Sequence, residues 1–155
     1  MKTVREALLA LTPRPHDAEA VRILTDPQTQ ARVLRQIEAY PSFALPSPDH
    51  AVLVCGVAVA DDIGEAWLVV GEGFEKQLRT VLRQMRVGLQ DLWQVLRLRQ
   101  LLILVDPQRT GAVKFIKRLG FVAGEEPRSF EADGKAVEMY FFNANKEGIN
   151  HGWHS

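Results

Sequence analysis

The stretch Leu101-Leu-Ile-Leu-Val-Asp-Pro-Gln-Arg-Thr-Gly-Ala-Val-Lys-Phe-Ile-Lys-Arg-Leu-Gly-Phe121 decides the fold. Its opening run, Leu101 to Val105, is aliphatic throughout with no polar alternation, the pattern of a strand covered on both faces. Asp106-Pro-Gln-Arg-Thr-Gly111 supplies turn residues. Ala112 to Leu119 spaces its apolar residues for a short amphipathic helix. Gly120 ends that helix, because glycine takes the left-handed backbone of a helix stop at little cost.

Upstream lies the clearest helix in the chain. Phe74, Leu78, Val81, Leu82, Met85, Leu89, Leu92, Trp93 and Leu96 recur at helical intervals, while Lys76, Arg79, Arg83 and Arg86 fall on one stripe that reads as a solvated face. Gly71-Glu-Gly73 separates this helix from the strand Glu65-Ala-Trp-Leu-Val-Val70. Strand, helix and strand in this order predict a right-handed crossover with Val69 and Leu102 in neighbouring parallel strands. Before it, Ser42–Leu45, the Val-rich run Ala51–Ala60 and the strand from Glu65 read as three antiparallel strands. Pro46–Asp49 and Asp61-Asp-Ile-Gly64 form their turns. Asp26 caps a helix with Pro27 at its first position, running to about Ala39 with Ala31, Leu34 and Ile37 or Glu38 at helical spacing. Asp17 or His16 can cap a helix over Ala18–Leu24, and residues 1–11 suit either a helix or a short opening strand. After Phe121, Ser129-Phe130, an Asp133-Gly134 turn and Val137–Phe142 read as a closing hairpin.

A chain of 155 residues and 17.4 kDa suits one domain, expected here over residues 1–142 with a flexible tail at 143–155. A domain of this size buries about 70% of the surface its unfolded chain exposes, so it needs no disulfide or metal to hold. The 19 basic and 19 acidic residues cancel, which argues against a dedicated nucleic-acid binder. The balance is a sum of opposed blocks. Lys76 to Arg99 holds Lys76, Arg79, Arg83, Arg86, Arg97 and Arg99 against Asp91, a net of +5. Asp61, Asp62, Glu65, Glu72 and the Glu125–Glu138 stretch offset it. Cys55, the one cysteine, sits inside the apolar run and reads as a buried small hydrophobe. That run is too short for a bilayer, which takes about 20 apolar residues. With no signal-peptide core, a cytoplasmic location is expected. His151 and His154 have metal-pair spacing but lack acidic or Cys companions, so no metal is expected.

The run ending Lys117-Arg-Leu-Gly-Phe121, preceded by Glu65-Ala-Trp-Leu-Val-Val-Gly71 and the long helix, resembles the GNAT acetyltransferase superfamily. The likeness is nearest to the GNAT-like proteins of bacteriophage genomes, some of them virion proteins. It spans about residues 42–142, with a looser fit before. The fold it implies is α/β, with a mixed sheet of six or seven strands, a central parallel pair and flanking helices. It implies binding of acetyl-CoA or another acyl-CoA through Val69, Val70, Gly71, Gly73 and Phe74, whose backbone N–H groups would meet the pyrophosphate at the helix start. Arg109 occupies the position of a family Asn and could contact a phosphate. The family motif Gln/Arg-x-x-Gly-x-Gly/Ala is abbreviated here, Glu72 and Glu75 stand where phosphates would sit, and Gly71 and Gly73 equally suit a strand end and a helix start. Glu65 is the candidate base, with Tyr140 the other titratable group, and the position of the family's acidic Tyr holds Ile116.

The resemblance thus implies acyl transfer to a small-molecule or protein amine, in the splay between the Glu65–Val70 and Leu101–Val105 strands. Its alternative is a catalytically degenerate GNAT-fold phage protein with a virion or host-interaction role. Nucleic-acid contact through the basic stripe is a minor third reading, and Trp93 and Leu96 would permit a homodimer contact.

Overall fold

The computed structural model describes residues 1–14, 18–105, 110–132 and 135–144. They form a mixed α/β structure with a six-stranded sheet of order β1-β2-β3-β4-β6-β5, made of two compact units. The first is Met1–Ala58 with Trp67–Gln84, and the second is Val59–Ala66 with the chain from Met85 onward.

In the first unit the opening segment is a helix, α1 (Val4–Ala10). Thr3 and Glu6 form a reciprocal capping box, each side chain accepting from the other's backbone N–H. A helix this short is marginal alone, so burial of Ala7 and Leu8 holds it. Helix α2 (Ala18–Thr25) leads to α3 (Pro27–Ala39). The Asp26 carboxylate accepts from the Thr29 N–H and hydroxyl, and Pro27 takes the first turn as expected. Of the positions at helical spacing, Leu34 and Ile37 join Val33 on the inward face, while Ala31 and Glu38 are exposed.

Strands β1 (Ser42–Leu45) and β2 (Leu53–Ala60) pair antiparallel with Ala44 opposite Val54. Leu53 through Val57 are buried without a break, as a strand covered on both faces requires. Leu8, Leu11, Ile23, Ala44, Val54 and Val69 form one core cluster, so the three helices close over one sheet face. Trp67 lies on Gly56, where a Cβ would come within 2.7 Å of the indole.

Strand β3 (Ile63–Val70) begins two residues before the expected Glu65, and the preceding loop is only Asp61-Asp62. Asp61 takes a left-handed φ of 56° there. Helix α4 (Leu78–Val95) follows a 3₁₀ turn at Glu75–Gln77. Its stripe Val81, Leu82, Met85, Leu89, Leu92 and Trp93 is buried. Trp93 therefore packs inside the protein, while Val87 and Val95 are the exposed apolar residues of α4. Of the basic stripe, Lys76, Arg79 and Arg83 are exposed. Arg86 departs from it, being half-buried and donating to the Arg118 carbonyl.

In the second unit, Ile63–Ala66 pair in parallel with Gln100–Ile103 of β4 (Gln100–Val105), so the two strands are the parallel neighbours expected. Arg99 fastens the β2–β3 turn to β4 twice, its N–H to the Asp62 carbonyl at 2.7 Å and its Nε to the Asp62 carboxylate at 3.0 Å. The expectation that both faces of Leu101–Val105 are covered holds for one face only. Leu101, Ile103 and Val105 are buried, whereas Leu102 and Leu104 are half-buried. The register puts Leu102 on the same face as Glu65 and Asn143, a partly open, polar face. Helix α5 (Thr110–Arg118) buries Phe115, Ile116 and, just beyond its end, Leu119. Strands β5 (Val122–Ala132) and β6 (Lys135–Ala144) form the antiparallel hairpin. Between Ala123 and Pro127, β5 advances four positions against two on β6. A bulge on an edge strand is where a proline fits, since it has no N–H to offer a ladder.

Candidate functional site

The turn from β3 into α4 is built entirely within the first unit. Val69 and Val70 are buried. The Gly71 N–H donates to the Val52 carbonyl at 2.8 Å, and the Glu72 N–H donates to the Thr12 carbonyl at 2.8 Å. Pro13 lies antiparallel against Gly71. A Cβ on Gly71 would stand 2.7 Å from Leu11 Cδ1 and 3.0 Å from the Thr12 carbonyl oxygen, so only glycine admits this close crossing. Gly73 is required for a different reason. Its φ is +86°, while a Cβ would meet nothing nearer than Val52 Cγ1 at 3.5 Å.

Beyond Gly73 the chain winds directly into helix. The Lys76 N–H donates to the Gly73 carbonyl and the Gln77 N–H to the Phe74 carbonyl. Phe74 is buried, and the Arg14 guanidinium lies 5.9 Å from its ring centroid, within cation–π range. Arg14 Nη1 also donates to Glu75 Oε1 at 2.8 Å, with the Arg14 side chain 19% exposed. This pairing alters the electrostatics expected of the turn. Glu75 is offset by a cation from 61 residues away, and Glu72, Lys76 and Arg79 are exposed around it in sequence. Periodicity and motif spacing are local signals, so Arg14 could not be found by them.

The other candidate residues belong to the second unit. Glu65 is exposed and stands opposite Leu102. Tyr140 is half-buried and stands opposite Val105. Odd and even positions of β4 point to opposite faces, so Glu65 and Tyr140 lie on opposite sides of the sheet and cannot act on one group. Glu65 instead shares its face with Gln100 and Asn143, whose side chains hydrogen-bond at 2.8 Å. Ile116 is 2% exposed, an aliphatic core residue with no proton to give. Arg109, His151 and His154 lie outside the described residues.

Burial pushes the Cys55 thiol up to about 12, so it stays protonated and un-nucleophilic near neutrality. Among the described residues no three His, Cys, Asp or Glu side chains gather as a metal site. No described helix is long and apolar enough to cross a membrane.

No family model and no curated protein matches the chain. Solved structures do. A point mutant of spermidine N-acetyltransferase SpeG from Vibrio cholerae matches with TM-score 0.62 at 13% identity, over 80% of this chain and 77% of that one. An acetyltransferase of the GNAT family from Bacillus anthracis matches with TM-score 0.62 at 14% identity, over 77% and 74%. The protein yncA of Salmonella typhimurium, solved with its cofactor acetyl-CoA, matches with TM-score 0.58 at 16% identity, over 79% and 73%. At such identities the shared property is the fold: the chain has the GNAT fold.

Proposed function

We propose that the chain is an acyl-CoA-dependent N-acyltransferase of GNAT type, acting in the cytoplasm on a small-molecule or protein amine. The observation that carries this reading is the parallel β3–β4 pair joined through α4, in a fold whose solved neighbours include acetyltransferases.

The residues at the start of α4 fit a phosphate-bearing donor in charge. Lys76 and Arg79 are exposed there, and Arg14 neutralises Glu75. Lys76 and Arg79 would hold the phosphates, with the backbone around Gly73 and Phe74 turning into the helix beneath them. The bound acyl-CoA would supply an acyl thioester. Glu65 would take the proton that the acceptor amine loses as its nitrogen bonds the acyl carbon and the carbon–sulfur bond breaks. Ile116 cannot protonate the departing thiolate, so that proton would come from water. Positioning of amine against thioester then supplies most of the acceleration.

A second reading, a catalytically degenerate GNAT-fold phage protein with a virion or host-interaction role, is favoured by the engagement of the Gly71 and Glu72 N–H groups by Val52 and Thr12. Isothermal titration with acetyl-CoA and CoA separates the two. Heat of binding is expected, and none at high micromolar protein would overturn the enzyme reading. CoA carried through purification from cells would count against the degenerate one.

A further inference from the structure

Resting on the acyl-CoA reading above, we propose that the acceptor is a small amino alcohol laid on the open sheet face of the second unit, its amine at Glu65 and its hydroxyl on the Gln100 side chain. Glu65 stands opposite Leu102, Ile63 opposite Gln100, and Asn143 opposite Leu102 from the other side, so these positions share one face. Glu65 is exposed, while Ile63, Gln100, Leu102 and Leu104 are half-buried. Glu65 is also the one charged side chain described on that face of the strands, so the face suits a cationic amine with an otherwise uncharged body.

The Gln100–Asn143 pair gives the face its selectivity. Gln100 Nε2 donates to Asn143 Oδ1 at 2.8 Å, and the Gln100 side chain has no other partner among the described residues. That bond uses one of its two N–H groups and leaves its carbonyl oxygen, so a donor and an acceptor held in place sit side by side at a half-buried position. A hydroxyl matches both, since it donates and accepts. An ammonium there can only donate. A carboxylate can only accept, and it would bring a second negative charge toward Glu65 with no described cation on the face to offset it. Glu65 and Gln100 lie on paired strands, two residues out of step, which places their Cα atoms about 8 Å apart. An amine and a hydroxyl separated by six bonds span about 7 Å at roughly 1.2 Å per bond, with the carbon chain between them against Leu102.

The probes 5-amino-1-pentanol, pentylamine and 5-aminopentanoate share one chain length and differ only at the far end. The side-chain amide resonances of Gln100 and Asn143, followed by NMR as each probe is added to the full-length protein, report contact without requiring turnover. They should shift at roughly 2- to 10-fold lower concentration with the amino alcohol than with pentylamine, the preference that one neutral hydrogen bond supplies. The aminopentanoate should bind most weakly of the three. Gln100→Leu should erase the preference for the alcohol over pentylamine, read from the Asn143 amide, whereas a purely structural role for the pair would weaken all three probes alike. Equal binding of the alcohol and pentylamine by the unmodified protein, or Gln100 and Asn143 resonances unmoved by any probe while CoA still gives heat, would overturn the amino-alcohol assignment and leave the acyl-CoA reading standing. Shifts with the alcohol but no heat from CoA would overturn the acyl-CoA reading and leave an amino-alcohol site without it.

Discussion

The start of α4 and the end of α5 both turn on a glycine in the left-handed region, Gly73 with φ +86° and Gly120 with φ +104°. They are held in opposite ways. Gly120 closes a local motif in which the Phe121 N–H reaches back to the Ile116 carbonyl and the Gly120 N–H to the Lys117 carbonyl. Every partner there lies within five residues. The turn around Gly71–Gly73 is instead stitched to distant chain: Val52 receives one N–H, Thr12 another, and Arg14 reaches Phe74 and Glu75. A locally closed turn is a helix stop and little else. A turn whose donors are held by another segment depends on how that segment packs, and this is the turn at which the phosphates are proposed to bind.

The largest test of that contrast is a double-mutant cycle at Leu11 and Gly71. Leu11→Ala should cost about 2–5 kcal/mol as a buried truncation, and Gly71→Ala about 1–3 kcal/mol because its Cβ would overlap the leucine. In the Leu11→Ala background much of the Gly71→Ala cost should vanish, since the two closest atoms are gone and only the 3.0 Å approach to the Thr12 carbonyl remains; additive denaturant-melt energies would mean the two regions do not meet as described. Gly120→Ala should cost about 1–2 kcal/mol from backbone strain. Thermal or denaturant melts should show that cost unchanged by any substitution in Leu11–Arg14.

Arg97 offers a third helix end for comparison. It adopts φ +52° after α4, with the Leu98 N–H bonded to the Trp93 carbonyl. It is the Gly120 geometry without the glycine, so Arg97→Gly should stabilise by roughly 0.5–1 kcal/mol, read as a rise in melting temperature. The smallest effect is at α3. The Thr29 hydroxyl and N–H hold the Asp26 carboxyl below its ordinary value. A carboxylate depressed in the folded state stabilises it at pH above the unfolded value, and that contribution is lost as pH falls through the lowered one. Asp26→Asn should therefore flatten the acid side of the stability profile while leaving its slope above pH 6 unchanged. An acid limb identical to that of the unmodified protein would remove Asp26 as a contributor.

Where partners are close in sequence, the elements could be read directly. Asp26-Pro27 starts α3, Gly120 ends α5, and the α4 stripe from Val81 through Trp93 is buried where its spacing places it. Three readings depended on what lies across the fold. The Thr3–Glu6 box is local, yet a seven-residue helix needs the burial of Leu8 to choose it over a strand. Leu101–Val105 is aliphatic throughout, but only its odd positions are buried, because the even face is shared with the Glu65, Gln100 and Asn143 positions. Glu65 and Tyr140 were both candidate proton carriers, and strand register alone puts them on opposite faces.

By itself the sequence determined the order of strands and helices after the first segment, the α3 cap and the parallel β3–β4 neighbours, because hydrophobic period and capping act within a few residues; the GNAT fold was implied by the resemblance of the Lys117–Phe121 run and the strand and helix before it. Tertiary structure decided the charge and accessibility of the β3–α4 turn. The residues that set them, Leu11 to Arg14, lie about 60 positions from Gly71–Glu75 and meet that turn only through the packing of the first unit.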